Sequence, residues 1–253
     1  MPRTKVSSAP RFTVEGQRHH HSLHLVHPCD TCAVRPYSAC AALDSDEQKR
    51  LVDIMKTVEV EAHQAIFNEF DKAQHVFNVT EGAVKIYKLL SDGRRQITGF
   101  LFPGDFLGLT HNETYAYSAE ALGPTKLCRF PREKLEALLD EMPSLEQRLL
   151  GMASHELAAA QDQMILLGRK SAKERVVSFL LMLSNSAVRH GRSGNPVSLP
   201  MTRNDMGDYL GLSLETVSRA FTQLKTQGFI QLLDERQVRL IKPDAMREIA
   251  TGF

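Results

Sequence analysis

Between residues 58 and 130, short β-branched and aromatic runs alternate with turn residues, as in "HVFNVTEGAVKIYKLLSDGRRQITGFLFPGDFLGL". The turn pairs that recur along this segment are Glu81-Gly82, Asp92-Gly93, Gly104-Asp105 and Gly123-Pro124. Short strands broken by turns in this rhythm are typical of an antiparallel β-barrel or β-roll. We therefore predict a small all-β domain. A short helix is predicted before it, opened by the capping pattern of Ser45 and Gln48.

After residue 130 the apolar residues take a helical period. From Met142 the inward positions advance in alternating steps of three and four, the seam of a coiled coil with polar interruptions at Glu156 and Gln163. A helix of about 25 residues, ~38 Å long, exceeds the surface of one domain, which favours a homodimer over a helix packed on its own domain. Gly168 is predicted to end this helix. The predicted dimer residues are Leu145, Leu149, Met152, Ala159 and Leu166.

Two further helices are predicted in "MTRNDMGDYLGLSLETVSRAFTQLKTQGFI". Thr202 caps the first, Gly211 makes the sharp turn after Leu210, and Ser213 caps the second. The small Gly207 allows the two helices to cross closely. This arrangement is a helix-turn-helix, whose second helix enters the major groove of DNA. The following "GFIQLLDERQVRLI" supplies two short strands, as in a winged variant.

The second helix divides its residues between two faces. Leu214, Val217, Phe221 and Leu224 form an apolar face, while Glu215, Ser218, Arg219 and Thr222 lie on another. Arg219 is suited to guanine O6 and N7, Glu215 to a cytosine amino group, and Ser218 to either edge. The alternative is a solvent-exposed ion pair between Glu215 and Arg219. The basic excess from residue 170 onward, 12 Lys and Arg against 8 Asp and Glu, favours the DNA-binding interpretation in a chain of net charge +1.

The length of 253 residues suits two domains, and the composition is that of an ordinary soluble protein. The predicted boundaries are a mobile, His-rich tail over 1–25, a cysteine-bearing loop and β-roll over 26–140, a dimerisation helix over 141–169 and a winged helix-turn-helix over 170–253. No apolar run reaches the length of a membrane span and no secretory signal is recognisable, so we expect the protein to be located in the cytoplasm.

Three of the four cysteines lie together in "HPCDTCAVRPYSAC", at Cys29, Cys32 and Cys40, and the fourth is Cys128. Disulfides are disfavoured in a reducing compartment, so metal or redox chemistry gains weight. Four thiolates are a reasonable ligand set for a [4Fe-4S] cluster. Structural zinc, with His24 and His27 as further ligands, a thiol redox switch and inert buried cysteines are the alternatives.

The recognition stretch "LETVSRAFTQLKTQGFI", preceded by a β-roll and a long helix, resembles the CRP/FNR superfamily of bacterial transcription regulators. Glu215, Ser218 and Arg219 match its FNR and FixK branch, whose members resemble one another in binding TTGAT half-sites. The resemblance implies an α+β fold with an antiparallel, cupin-like β-roll of the cyclic-nucleotide-binding type as sensory domain. It also implies a dimer axis along the long helix, and contact with RNA polymerase through loops such as Asp92-Gly93-Arg94.

The same resemblance implies the ligand chemistry. FNR proteins use three N-terminal cysteines and one from the roll to hold a [4Fe-4S] cluster, which oxygen converts to a [2Fe-2S] form. The seven-residue gap between Cys32 and Cys40 resembles FnrN/FnrL-like members. Cyclic AMP is not expected, because Tyr117 precedes Ser118 where the cyclic-nucleotide branch has an arginine. Phe70 departs from the superfamily's turn glycine.

The resulting hypothesis is an oxygen-responsive, homodimeric DNA-binding activator, not an enzyme, that recognises a TTGAT-N4-ATCAA-like palindrome. The alternatives are a zinc or thiol-redox regulator of the same fold and a cupin-like metalloenzyme. The roll shows no His-x-His with a following carboxylate, which argues against a catalytic cupin.

Overall fold

The structure is a computed structural model that describes Cys29 and residues 31–251. By internal contacts the chain divides into two compact units, Met1–Thr31 and Cys32–Phe253. The predicted His-rich tail, residues 1–25, lies outside the described residues. Cys29, in a turn, belongs to the first unit. Everything else described below belongs to the second.

The second unit begins with two short 3-10 helices, Arg35–Tyr37 and Ala39–Ala42. The first α-helix, α1 (Ser45–Ile54), is capped by Asp44, whose side chain accepts hydrogen bonds from the backbone N–H groups of Asp46 and Glu47. The predicted capping pair of Ser45 and Gln48 is therefore wrong by one residue. Asp44 and Glu47 form the same type of capping box, and the carboxylate of Asp44 is the N-cap acceptor.

The roll consists of two four-stranded antiparallel sheets, in the orders β1-β8-β3-β6 and β2-β7-β4-β5. Their strands are β1 (Lys56–Val60), β2 (Ala65–Phe67), β3 (His75–Glu81), β4 (Val84–Leu89), β5 (Arg95–Leu101), β6 (Phe106–Leu107), β7 (Ser118–Ala121) and β8 (Thr125–Pro131). Side chains from both sheets fill the interior, among them Val79, Ala119 and Leu127, each fully buried. The predicted all-β domain is thus confirmed as an antiparallel roll.

Two helices follow the roll, α2 (Arg132–Glu141) and α3 (Pro143–Arg169). The 27 residues of α3 make it the longest helix described. Gly168 does not end it, because the helix continues to Arg169 and Lys170 is its C-cap. Glycine weakens a helix end without breaking it, and the Ser171–Glu174 capping box then starts the next helix.

The winged domain contains α4 (Ala172–Arg189), α5 (Arg203–Leu210), α6 (Leu214–Thr226) and α7 (Pro243–Thr251). Its small sheet has the order β10-β11-β9, from β9 (Val197–Ser198), β10 (Ile230–Leu232) and β11 (Gln237–Leu240). The core of this domain is built on Phe179, Leu180, Leu210 and Leu224. The predicted architecture of roll, long helix and winged helix-turn-helix is confirmed. No helix among the described residues has the length and apolarity to cross a membrane.

Candidate DNA-binding surface and cysteine site

The helix-turn-helix is positioned by local capping and turn residues, as the sequence predicts. Thr202 caps α5 by accepting a hydrogen bond from the Asp205 N–H, and Ser213 caps α6 by accepting one from the Thr216 N–H. Gly211 takes a left-handed conformation, φ 62°, at the end of α5. Because a side chain is strained in that conformation, glycine is the residue that permits this turn.

Gly207 sets how closely the turn approaches α5. A Cβ atom on this residue would lie 2.6 Å from the backbone oxygen of Leu212, which is closer than atoms can pack. The Gly207 carbonyl in turn accepts a hydrogen bond from the Leu212 N–H at 3.0 Å. The guanidinium of Arg203 also lies 3.4 Å from the ring centre of Phe221, across the two helices. These contacts join α5 closely to the turn and to α6.

The three predicted base-reading residues lie on one exposed face of α6. Glu215, Ser218 and Arg219 are all solvent-exposed, while Val217 and Phe221 are buried against the domain. Its own backbone N–H, at the start of α6, holds the pKa of Glu215 below its ordinary value, with smaller contributions from Ser213 and Arg219. Glu215 is therefore ionised at neutral pH and can act as an acceptor. Leu214, predicted on the packed face, is 45% exposed.

Two cysteines of the second unit, Cys40 and Cys128, lie against one apolar cluster. Cys40 sits in the second 3-10 helix, and both Cys40 and Cys128 pack against a cluster that contains Ala39, Phe130 and Leu145. Burial, the largest effect, raises the pKa of the Cys40 thiol. The hydrogen bond with Ser38 opposes this shift, and the nearby Cys32 adds to it. Cys32 and Cys40 are thus close enough to interact electrostatically.

Strand alternation explains why Cys128 lies on this side of the roll. In β8 the side chain of Leu127 enters the roll interior, whereas Cys128 and Phe130 point to the opposite face. Cys128 is paired in register with Thr57 of β1 and Asn78 of β3. A central strand therefore holds the fourth cysteine on the face that carries the Cys40 helix.

The donor chemistry of these side chains fits an iron–sulfur cluster, because thiolates are its normal ligands. Their arrangement is looser than a finished ligand set. No group of three His, Cys, Asp or Glu side chains among Cys29 and residues 31–251 is arranged to hold a metal ion. Cys29 lies in the first unit and the other three cysteines in the second.

The long helix α3 has an inner and an outer apolar face. Leu145 and Leu149 are buried with the Cys40 helix in the apolar cluster, and Leu166 is buried against the winged domain. Met152 is half-buried and Ala159 is exposed. Three of the predicted dimer residues are therefore already covered by their own chain. The large apolar side chains of α3 that are exposed are Leu150, Leu157, Met164 and Ile165.

The turn that follows β6 is engaged by side chains of the roll itself. The Gly108 N–H donates to the Tyr117 hydroxyl at 3.0 Å, and the Ser118 hydroxyl accepts from the Glu69 N–H at 2.9 Å. The ring of Tyr115 stacks on Phe67 with ring centres 3.7 Å apart. Beside this turn, Tyr115 therefore packs against Phe67, and the Tyr117 hydroxyl occupies the backbone donor of Gly108.

A β-roll joined by a long helix to a winged helix-turn-helix is the architecture of a DNA-binding transcription regulator. Family models agree with this class. Residues 57–142 match the cyclic nucleotide-binding domain, and residues 174–249 match the Crp-like helix-turn-helix domain.

Named relatives extend the match to most of the chain. The nitrogen fixation regulation protein FixK of Bradyrhizobium diazoefficiens is 38% identical over 89% of this chain and 95% of its own length. The transcriptional activator protein FnrL of Cereibacter sphaeroides is 38% identical over 85% and 88%, respectively. The structure of FixK2 from Bradyrhizobium japonicum matches with a TM-score of 0.73 and 39% identity, covering 78% of this chain and 97% of that one. The chain belongs to the CRP/FNR superfamily, in its FNR branch, and is a DNA-binding transcriptional activator rather than an enzyme.

Sequence reasoning missed two parts of this arrangement. The outer face of α3 follows the same helical period as the inner one, and Leu150, Leu157 and Met164 recur at seven-residue intervals. The regular three-four series from Met142 instead predicts the face that contains Leu145 and Leu149. The contacts of α5 with the roll, described below, join residues more than 100 positions apart, and no local pattern indicates them.

Proposed function

We propose that this protein is an oxygen-responsive transcriptional activator whose DNA-binding dimer depends on a [4Fe-4S] cluster held by Cys29, Cys32, Cys40 and Cys128. The observation that carries the proposal is the apolar cluster that Cys40, Cys128 and the inner face of α3 share. A change at the thiols therefore reaches the helix along which family members dimerise. When bound, the cluster supplies an oxygen-labile connection between the N-terminal loop and the roll.

The residues of the chain transmit that connection through packing. Ala39 and Leu43, on either side of Cys40, are buried against the same cluster as Leu145 and Leu149 of α3. The Arg148 guanidinium also donates to the Tyr37 carbonyl at 3.5 Å. When the thiols are held in place, the segment around Cys40 stays packed against the inner face of α3. This packing fixes the orientation of the outer face of α3. Release of the segment removes the bias toward the dimer.

We assign the dimer contact to the outer face of α3, formed by Leu150, Leu157 and Met164. Each of these side chains is more than 60% exposed, and their seven-residue spacing matches a coiled-coil seam. Family members act as dimers, and a palindrome requires two recognition helices about one DNA turn apart. The partner on this face is a second copy of the chain.

We propose that no cyclic nucleotide regulates the protein. A cyclic phosphate needs free backbone donors and a cation, whereas the Gly108 N–H here already donates to Tyr117 and the Ser118 hydroxyl already accepts from Glu69.

RNA polymerase is proposed to contact the β4–β5 hairpin. Its turn at Asp92-Gly93-Arg94 is flanked by exposed Leu89 and Leu90. We also propose that the protein works in the cytoplasm, because it acts on DNA.

Anaerobic purification tests the cluster. We expect iron and sulfide in the wild type and an absorption band near about 400 nm that Cys128→Ser reduces together with transcription activation. Lys126→Ala is the matched control, because this residue precedes Cys128 by two positions on β8 and is half-exposed. Stoichiometric zinc without iron would remove the oxygen mechanism and leave the DNA-binding function intact. A full cluster in Cys128→Ser would remove Cys128 from the ligand set.

Base reading is tested at Arg219. Arg219→Ala should cost about 1–3 kcal/mol of binding to TTGAT-N4-ATCAA and relax discrimination at the G·C pair of each half-site. Lys225→Ala, at the other end of the exposed face of α6, is the control. A phosphate contact there should weaken all sequences alike and lower the salt slope by about one. Equal losses for Arg219→Ala on specific and scrambled duplexes would contradict the assignment.

A further inference from the structure

The carboxylate of Asp205 connects the helix-turn-helix to the roll. One oxygen, Oδ2, accepts hydrogen bonds from the Thr202 N–H at 3.0 Å and the Thr202 hydroxyl at 2.6 Å, which caps α5. The other oxygen, Oδ1, accepts from Lys85 Nζ at 3.0 Å and Arg95 Nη2 at 3.1 Å. Lys85 lies on β4 and Arg95 on β5, so a single side chain serves its own helix and two strands of the other domain.

Lys85 is an unusual residue for this position, because only 3% of it is exposed. Its ammonium group lies 2.9 Å from the carboxylate of Glu120, its cross-strand partner on β7, as well as 3.0 Å from Asp205. The roll therefore supplies one carboxylate to this buried cation, and α5 supplies the second.

A second ion pair repeats the contact one turn further along α5. Arg95 Nε donates to Asp208 Oδ2 at 2.9 Å, and the two side chains are each about one-quarter exposed. The Arg95 guanidinium also lies over the ring of Tyr87, 5.5 Å from its centre. We call the set of Lys85, Arg95, Asp205 and Asp208 the α5 clamp.

The opposite end of α5 is held by the long helix and α4. Gln163 of α3 donates to the Tyr209 carbonyl at 2.7 Å. Arg175 of α4 donates to the Leu210 carbonyl at 2.9 Å and to the Leu167 carbonyl of α3 at 2.8 Å. Helix carbonyls without an intrahelical partner favour such cationic donors. The direction of α5 is thus fixed by the roll at one end and by the dimer helix at the other.

Buried ion pairs add little net stability, because desolvation offsets the attraction, but they are demanding in geometry. The ion pairs of the α5 clamp form together in one docked orientation, in which Asp205 faces Lys85 and Asp208 faces Arg95. Since Gly207 and Leu212 join α5 tightly to the turn before α6, an orientation imposed on α5 is also imposed on the recognition helix.

We propose that Lys85 and Asp205 are positioning residues for DNA recognition, which align the recognition helix with the dimer axis through the α5 clamp. The docked arrangement is the one competent for DNA, because Glu215, Ser218 and Arg219 stay exposed in it. Each subunit then presents α6 at a fixed angle. The two recognition helices are therefore ordered before they bind a palindrome, and binding loses less conformational entropy.

The test compares Lys85→Met, Asp205→Asn, the double variant and Lys85→Arg in the full-length dimer. Lys85→Met keeps the length of the side chain without its charge, and Asp205→Asn keeps one oxygen for the cap. We expect each single variant to lose about tenfold or more in affinity for the TTGAT-N4-ATCAA palindrome, about 1.4 kcal/mol. A duplex with one half-site should lose less than about threefold, because one recognition helix can still adjust.

Two further results are expected if the residues act by positioning. The double variant should bind within about threefold of either single variant, because the pair acts as a unit. Lys85→Arg should recover most of the palindrome affinity. Unchanged palindrome affinity in a folded Lys85→Met dimer, or equal losses on palindrome, half-site and scrambled duplexes, would overturn the proposal. If Lys85→Met does not fold, Arg95→Gln is judged by the same criteria, since Arg95 is less buried.

Hydrogen exchange without DNA separates this proposal from the proposed recognition sequence. Backbone amides of α5 should exchange faster in Lys85→Met than in the wild type, while those of β10 and β11 stay unchanged. If wild-type protein does not bind the palindrome, the proposed sequence is wrong and the exchange result decides the α5 clamp. Unchanged exchange in α5 would overturn it.

Discussion

Phe70 holds a backbone conformation that favours glycine. Its φ is +71°, and its ring is 76% exposed, so little packing compensates for the strain of a Cβ atom in the left-handed region. The Phe70 N–H donates to the Tyr115 carbonyl at 3.0 Å, which ties the strained turn to the segment before β7. The glycine that the family resemblance leads one to expect here would take the same conformation without strain.

Phe70→Gly should therefore be at least as stable as the wild type, and more stable than Phe70→Ala by about 1 kcal/mol. At an ordinary position the order of alanine and glycine is the reverse, since glycine has more chain entropy to lose. Urea denaturation of the two variants measures the difference. Greater stability of Phe70→Ala would show that the turn relaxes to a conformation with negative φ in solution.

Single residues were predicted well where the signal is local. Thr202, Gly211 and Ser213 were placed correctly because each acts on backbone groups within a few residues. The buried Lys85 could not be predicted in the same way. In the sequence it reads as an ordinary strand lysine, and its carboxylate partner in α5 is 120 positions away. Only the packing of two domains brings them together.

At the scale of elements, α3 shows why a helical period does not identify a partner. A stripe that packs on the same chain and one that packs on a second chain have the same spacing. Leu145 and Leu149 pack against the Cys40 helix. Leu150, the residue after Leu149, and Leu157, about two turns further along the helix, face outward. Because Leu149 is buried on its own chain, a charge at this position would damage the fold rather than test the dimer.

Leu157→Glu is the better test of the dimer. The side chain is 61% exposed, so the change should leave each domain folded, while a charge in the seam should convert the dimer to a monomer and abolish palindrome binding. Sedimentation and circular dichroism measure the two effects separately. Leu149→Glu is the contrasting variant and should unfold, because Leu149 is 5% exposed. A Leu157→Glu protein that remains dimeric would place the interface elsewhere.

At the scale of the whole molecule, the roll and the winged domain meet at several separate points. The α5 clamp is one, and the aromatic contacts of Phe100 with Phe179 and Tyr209 are another. A third lies at the end of α4, where His190 Nε2 is 3.2 Å from Asp105 Oδ1 and His190 Nδ1 is 2.8 Å from the Ser186 carbonyl. The sequence predicted the two domains but gave no sign of these junctions, because each joins residues distant in the chain.

We expect the His190–Asp105 junction to make domain docking dependent on pH. The hydrogen bond with Asp105, the largest effect, raises the pKa of His190 above its ordinary value of 6.5, while burial and the nearby Arg192 oppose it. A histidine with a raised pKa stabilises the folded protein fully below the unfolded value. That contribution is lost as the pH rises through the folded value. The junction is therefore strongest in mildly acidic solution.

His190→Gln should lower stability more at about pH 5.5 than at about pH 8, because glutamine can donate to Asp105 but cannot become charged. Thermal unfolding of both proteins across this range measures the difference. The variant at position 190 leaves the hydrogen bond from the Phe102 N–H to Asp105 intact, whereas Asp105→Asn would disturb it, so His190 is the cleaner site. A stability difference that stayed constant with pH, or grew toward pH 8, would show that His190 packs against the roll without carrying a charge.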